Sequence, residues 1–301
     1  MVSIGKIIVG LGELLWDVLP AGKQLGGAPA NFAYITTLLG EQGIPLSRVG
    51  NDGLGAEALR RLTELGLPTT FVQIDSHHPT GTVKVELNAG QPRYEISQSV
   101  AWDFLDWTPA WGKLAQQADA VCFGSLAQRS PRSRAAIRSF LGATSPSAVR
   151  IFDVNLRGDF YSSDLLAESM TLADVVKLND EELPQIMQLG SLVRADEKSS
   201  AETLLRLYDL DLVCVTRGRR GSLLVNKSGS SEHAGFHVKV ADTIGAGDAF
   251  TAGLTHKYLQ GASLDDMNEV ANLVGAWVAS QAGATPTPKN GALEQSLAEI
   301  S

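Results

Sequence analysis

The chain has 301 residues, 44% of them hydrophobic and 19% charged, with a formal net charge of -8, which suits one large α/β domain or two small ones with a substantial core. The acidic balance argues against a nucleic-acid partner, because phosphate backbones are bound through excess Lys and Arg. It leaves ATP open, since backbone N–H groups and a metal can hold phosphates on an acidic protein.

Met1 to Leu19 is apolar but carries Lys6, Glu13 and Asp17, so it reads as a first strand, Ile7-Ile8-Val9, and not as a signal peptide. No apolar run reaches the ~18 residues of a membrane span. Ala30 to Leu39 predicts a helix with Pro29 in its first turn. Arg48-Val49 precedes a second helix, Ala56 to Leu65, which stops at Gly66. Phe71 to Ile74, Ala120 to Phe123, Val149 to Val154, Val175 to Leu178 and Leu212 to Val215 read as strands, with helical patterns between them. A last helix is expected over Asp265 to Gln281. This alternation predicts an α/β fold: a mostly parallel sheet with helices on both faces. From Thr80 to Trp102 the pattern breaks into alternating polarity on either side of Asn88-Ala89-Gly90, a hairpin that forms a small β excursion. Cys122 and Cys214 sit in apolar runs as core hydrophobes, and a reducing, cytoplasmic setting is expected. His77, His78, His233, His237 and His256 show no metal-ligand spacing.

The strongest chemical signal is Asp242-Thr243-Ile244-Gly245-Ala246-Gly247-Asp248-Ala249-Phe250. Glycines flanking an alanine open a helix, so the N–H groups of Gly245, Ala246 and Gly247 can face an anion, helped by the helix dipole. Such a nest stabilises charge on a transferring phosphoryl group. Asp248, in the first turn, can accept a proton from an attacking hydroxyl; the plainer alternative is a helix cap. The sequence resembles the C-terminal signature of the ribokinase-like (PfkB) carbohydrate kinases, and its wording is most similar to bacterial fructokinases. The resemblance implies that Asp248 is the catalytic base, that the Gly245 to Gly247 amides form the anion hole, and that the substrates are a small-molecule sugar and magnesium-ATP.

Other segments match the family in order. Gly26-Gly27-Ala28-Pro29-Ala30-Asn31 resembles its N-terminal signature, which implies sugar contacts at Gly27 and Asn31. Asn31 offers the donor and acceptor that a hydroxyl needs. Asp17 is implied as a second sugar contact. Asp153-Val154-Asn155-Leu156-Arg157 ends a strand, where open sheets bind ligands, and resembles the Asp-x-Asn-x-Arg segment of fructokinases and ketodeoxygluconate kinases, which implies Asn155 and Arg157 near substrate or phosphates. Lys177-Leu178-Asn179-Asp180-Glu181-Glu182 resembles the family's Asn-x-x-Glu motif. It implies Lys177 and Asn179 at ATP, and Asn179 with Glu182 placing magnesium mainly through water; Glu181 is the alternative to Glu182. Thr216, Gly218 and Gly221 resemble the nucleotide loop, and Asn272 and Gly275 fall on the helix that the family sets beside adenine. A potassium site is implied at Asp242, Ile244, Val278, Gln281, Gly283 and Thr287.

The expectation is a single domain over 1–301 with lid segments at about 14–23 and 80–102, and the lid could also pair two copies. D-fructose, phosphorylated at its 6-hydroxyl, is the favoured substrate. Ribose, 2-keto-3-deoxygluconate, another ketose or a nucleoside stay open, as does a non-catalytic sugar- or nucleotide-binding regulator. A dehydrogenase is excluded because Gly10-Leu11-Gly12 lacks the third glycine of a dinucleotide fingerprint.

Overall fold

The computed structural model describes residues 5–19, 22–88, 91–193, 195–289 and 293–300. Eight strands form the main sheet, in the spatial order β14 (Gly229–His233), β13 (Ser222–Asn226), β12 (Leu212–Thr216), β11 (Val175–Asn179), β10 (Val149–Asp153), β9 (Ala120–Gly124), β1 (Ile7–Leu11) and β4 (Gln42–Leu46). The run from β12 to β4 is parallel, and β13 and β14 add antiparallel edges.

Alternation along these strands feeds two cores. Val9, Val121, Phe152, Val176 and Val213 enter one. Their neighbours Ile8, Ala120, Ile151, Val175 and Leu212 enter the other. Both faces are therefore buried, which is why the central strands read as continuous apolar runs. The first core packs against α3 (Pro109–Gln117), α4 (Pro131–Ala143), α5 (Ser163–Thr171), α6 (Glu182–Leu189) and α7 (Glu197–Leu207). The second packs against α1 (Ala28–Leu38), α2 (Gly53–Glu64), α8 (Ala246–Leu259), α9 (Leu264–Ala279) and α10 (Leu293–Leu297). Helix α9 is not the last helix, as the sequence had suggested; the short α10 follows it and buries Leu293 against the second core.

The β excursion forms its own four-stranded sheet, in the order β3 (Gly22–Gly26), β2 (Leu15–Leu19), β7 (Gly81–Asn88) and β8 (Gln91–Ile96). The expected turn residues Ala89 and Gly90 lie outside the described residues. A third, two-stranded pairing joins β5 (Arg48–Gly50) to β6 (Gln73–Asp75). The lid sheet is anchored to the body through Trp16, which is buried and donates from Nε1 to the Leu54 carbonyl at 3.0 Å. At its other end, Trp102 is wholly buried under the Arg129 guanidinium, 4.0 Å from the ring centre, while Arg129 Nε and Nη2 bond Asp103 at 2.7 and 2.8 Å. The fructokinase-like wording at Ala101 to Leu105 therefore records packing beneath the lid. Among the described residues no helix is long and apolar enough to cross a membrane.

The first strand and α1 approach closely at Gly10, where an added Cβ would lie 2.0 Å from the Pro29 carbonyl oxygen. Backbone cannot yield there as a flexible side chain can. Gly10→Ala is expected to lower unfolding free energy by about 1–3 kcal/mol, the range for overpacking a tight core. Urea unfolding measures this, and a change below about 0.5 kcal/mol, the level of an ordinary surface substitution, would contradict the packing.

Candidate active site

The carboxyl ends of β10 and β11 face the start of α8. Asp153, the last residue of β10, pairs with Lys177 in the middle of β11, both on the face that Ile151 and Val175 share with α8. Both are buried, and Lys177 Nζ bonds the two Asp153 oxygens at 3.1 and 3.2 Å. Thr251, on α8, donates to Asp153 at 3.0 Å and ties the helix to the pair. Burial alone would lower the Lys177 ammonium pKa, but the carboxylates of Asp153, Glu182 and Asp248 overcome it and raise the net value. A Cβ added at Gly247 would sit 3.1 Å from Lys177 Nζ, so the cation lies directly beneath the glycine loop.

That loop turns into α8 at Gly245, whose φ of +76° is left-handed and whose missing Cβ leaves room for Ala284. The first-turn amides of a helix have no partners within it. Ala246 N–H reaches the Thr243 carbonyl at only 3.3 Å. Gly247 and Asp248 follow it in the same turn. The helix cap is Gly245, so Asp248 is not spent on capping. Its carboxylate instead accepts from Asn31 Nδ2 on α1, at 2.8 Å. Burial pushes the Asp248 pKa up to about 6, with Asp153 adding to the rise and Asn31, Lys177 and Arg157 opposing it.

From the opposite side, Gly27 begins α1 with φ +113° and Asp17 stands on β2. The Asp17 pKa rises to about 6, chiefly through burial, with Arg157 pulling it down and Asp242 pushing it up. The cleft thus gathers Asp17, Gly27, Asn31 and Asp248. Asn155 lines a small cavity with Asp248, and Arg157 is exposed within electrostatic reach of both Asp17 and Asp248. Asn155 has φ +43° and holds the segment after β10 in a turn.

Glu182 points inward and Glu181 outward, which separates two residues that the sequence left interchangeable. Glu182 Oε1 accepts from Leu156 N–H and Oε2 from Asn179 N–H, each at 2.8 Å. Asn179 Oδ1 accepts from the N–H groups of Glu181 and Glu182 at 2.9 and 2.8 Å. The two side chains therefore clasp the 155–157 turn to α6. Thr216 ends β12, and Gly218 and Gly221 form the left-handed turn beyond it. Asn272 is committed elsewhere, donating to Ser222 and to Asn268 inside a buried network. Gly275 packs against the Ala246 carbonyl, where a Cβ would come within 3.2 Å. The Asp242 carboxylate accepts from Ile244 and Gly283 N–H groups at 3.0 and 3.2 Å, joining the loop before α8 to the 278–287 segment. Among the described residues no group of three His, Cys, Asp or Glu side chains gathers around a metal position.

Sequence reasoning missed Glu13, Asp153 and Thr251 as site groups. A carboxyl inside an apolar stretch, as in Gly12-Glu13-Leu14-Leu15 and Ile151-Phe152-Asp153-Val154, was the available signal.

Comparison with known proteins agrees with this geometry. The pattern of the pfkB family carbohydrate kinases matches residues 12–290. A fructokinase of Escherichia coli is 30% identical over 298 residues, covering 94% of this chain and 94% of its own. The structure of Vibrio cholerae fructokinase with fructose, ADP and calcium ion superposes with a TM-score of 0.81 at 25% identity, covering 99% of both chains. That of an uncharacterized sugar kinase from Pyrococcus horikoshii in complex with ATP gives a TM-score of 0.81 at 29% identity, covering 98% of this chain and 100% of that one.

Asp248→Asn keeps the side chain's size but cannot accept a proton. It is expected to lower kcat by ~10²–10⁴ with little change in sugar or ATP binding, the pattern of an interaction made in the transition state. Steady-state rates and calorimetry on the same preparation measure this. Retention of more than about a tenth of wild-type kcat would remove Asp248 from the role.

Proposed function

We propose that this chain, which belongs to the pfkB family of carbohydrate kinases, phosphorylates D-fructose at its 6-hydroxyl. The observation that carries the reading is the Asp248 carboxylate at the foot of α8. It is raised to about 6 and held by Asn31 from the opposite wall, 2.8 Å away. A base with this pKa is mostly ionised at neutral pH yet still takes a proton readily as the hydroxyl attacks.

In this reading the sugar lies between the small sheet, acting as a lid, and the main sheet. Asp17, Gly27 and Asn31 bind its hydroxyls, and Asn31 at the same time aims Asp248. Asn155 and Arg157 flank the sugar and the phosphate path. The hydroxyl loses its proton to Asp248 as its oxygen forms a bond to the γ-phosphorus. The bond from that phosphorus to the β-phosphate oxygen breaks, and ADP leaves. The amides of Gly245, Ala246 and Gly247 hold the charge that moves across, with the α8 dipole and the Lys177 ammonium beneath them. Thr216, Gly218 and Gly221 line the nucleotide, and Asn272 and Gly275 back the wall beside adenine. Closing the lid excludes water and limits wasteful hydrolysis; β3 supports this by bringing Gln24 against the loop at Gly283.

Magnesium bound with ATP would neutralise phosphate charge. Each oxygen of Glu182 accepts one backbone N–H and keeps a lone pair for a water of such an ion, while Asn179, whose Oδ1 already accepts two N–H groups, would hold Glu182 in place. The potassium site would be built from Asp242, whose carboxylate joins Ile244 to Gly283, and from carbonyls of Ile244, Val278, Gln281, Gly283 and Thr287. A dimer formed through the lid sheet would keep the site closed between copies.

The similarity to fructokinases in Escherichia coli and Vibrio cholerae favours fructose over ribose, 2-keto-3-deoxygluconate and nucleosides. In an ADP-release assay over these acceptors, fructose is expected to give the highest kcat/KM. A competitor tenfold better would replace fructose and leave the kinase class intact. No turnover of any acceptor, with binding retained, would favour a regulator.

A further inference from the structure

Glu13 is a carboxyl that the reaction above does not use. It follows β1, is 5% exposed, and lies at the first turn of α1, where the Ala28 N–H faces it. It also lines a small, partly open cavity of about 20 Å³ together with Asp248, Asp153, Asn155, Thr251, Cys122 and the apolar walls of Pro29, Phe32 and Phe123. That volume suits a single water, and the polar lining offers the two to four partners a buried water needs.

We propose that Glu13 is a proton-holding positioning residue, linked to Asp248 by a water in this cavity, that takes up the proton Asp248 receives from the substrate hydroxyl. The inference rests on Asp248 being the base. The balance is simple. The substrate O–H bond breaks and Asp248 gains the proton. Asp248 passes it to the water, and the water passes one of its own to a Glu13 oxygen. No oxidant or further reactant is needed. When the cleft opens, Glu13 returns the proton to solvent by the same route. Without such a path, Asp248 would stay protonated beneath bound products.

Electrostatics agree with the geometry. Burial pushes the Glu13 pKa up to about 7, its own N–H opposes the rise, and the Asp248 carboxylate adds to it while Arg157 and Ala28 N–H oppose it. The other titratable groups lining the cavity are Asp153 from β10 and Cys122 from β9, and Lys177 from β11 acts electrostatically on Cys122 and Asp248 from outside that lining. The Cys122 thiol is pushed well up by burial, so it stays neutral. Glu13 and Asp248 are thus the two cavity groups poised to exchange a proton near neutral pH, and they titrate as a coupled pair.

A plain structural role exists too, since Glu13 faces the start of α1, so the test must read proton count and not activity alone. With the relay, both carboxyls must be ionised in the free enzyme, and log kcat/KM of the wild type falls with a slope of about two on the acid side. Glu13→Gln keeps the shape. It is expected to reduce that slope by about one, to move the acid limb to lower pH because the upper titration of the coupled pair is gone, and to lower kcat about tenfold with KM values unchanged. Glu13→Asp, which keeps the carboxyl, should restore the steeper limb. A wild-type slope of about one, or a Glu13→Gln profile with the wild-type limb, would overturn the relay. Asp17 titrates in the same range and adds to the wild-type slope, so a slope of about one still overturns the relay, while a steeper slope is assigned to Glu13 by its fall in Glu13→Gln and its return in Glu13→Asp. Parallel assay of Asp248→Asn separates the two readings: an inactive Asp248→Asn with a slope of about one rejects the relay alone, whereas an active one rejects the base and the relay together.

Discussion

The buried ion pair between Lys177 and Asp153 is the interaction on which the rest of the site depends. It joins β10 to β11 and, through Thr251, both strands to α8. A lone buried charge is costly, and removing either partner of such a pair strands the other. The pair therefore fixes where α8 starts, and with it the glycine loop and Asp248. It also sets the local field. The ammonium beneath Gly247 favours negative charge arriving above it, while Asp153 keeps the Asp248 pKa raised.

This arrangement works against stability at neutral pH. Glu13, Asp17 and Asp248 all have folded-state pKa values above the ordinary carboxyl range, near about 7, 6 and 6. A raised carboxyl pKa means that the folded state binds the proton more tightly than the unfolded chain. Its stabilising contribution is present below the unfolded value, near about 4, and is lost as pH rises through the folded value. Above that, three carboxylates crowd one cleft. Apolar packing on both faces of the main sheet supplies the stability to hold them there, and a strained, charge-rich cleft is what a base poised near neutrality requires.

Much of this was legible in the sequence. Continuous apolar runs announced the central parallel strands because both of their faces are buried. The Gly245-Ala246-Gly247-Asp248 stretch announced the glycine loop with Asp248 at the start of α8, and its likeness to a known family brought Asn31 and Asp17 with it. What stayed hidden has physical reasons. Strand β4 contains Gly43 and Pro45, and Pro belongs on an edge strand, so its run carried no clean strand pattern. Strand β14 is a polar edge, Gly229-Ser230-Ser231-Glu232-His233, without an apolar face to signal it. Asn31 and Asp248 meet across 217 residues of chain, and no local pattern encodes that contact. The family resemblance set Lys177 at ATP; its burial against Asp153 shows in the fold alone. Glu13 was passed over because a single acid after a strand carries no periodic signal.

The central claim is that burial and Asp153 hold the Asp248 carboxyl in a state ready to exchange a proton near neutral pH. Infrared difference spectroscopy of Glu13→Gln against Glu13→Gln/Asp248→Asn removes the coupled partner and follows the ionisation of the Asp248 carboxyl with pH. The account predicts a midpoint near about 6. A midpoint near about 4, where an ordinary solvated aspartate titrates, would show that the site does not hold its base as described and would contradict the account.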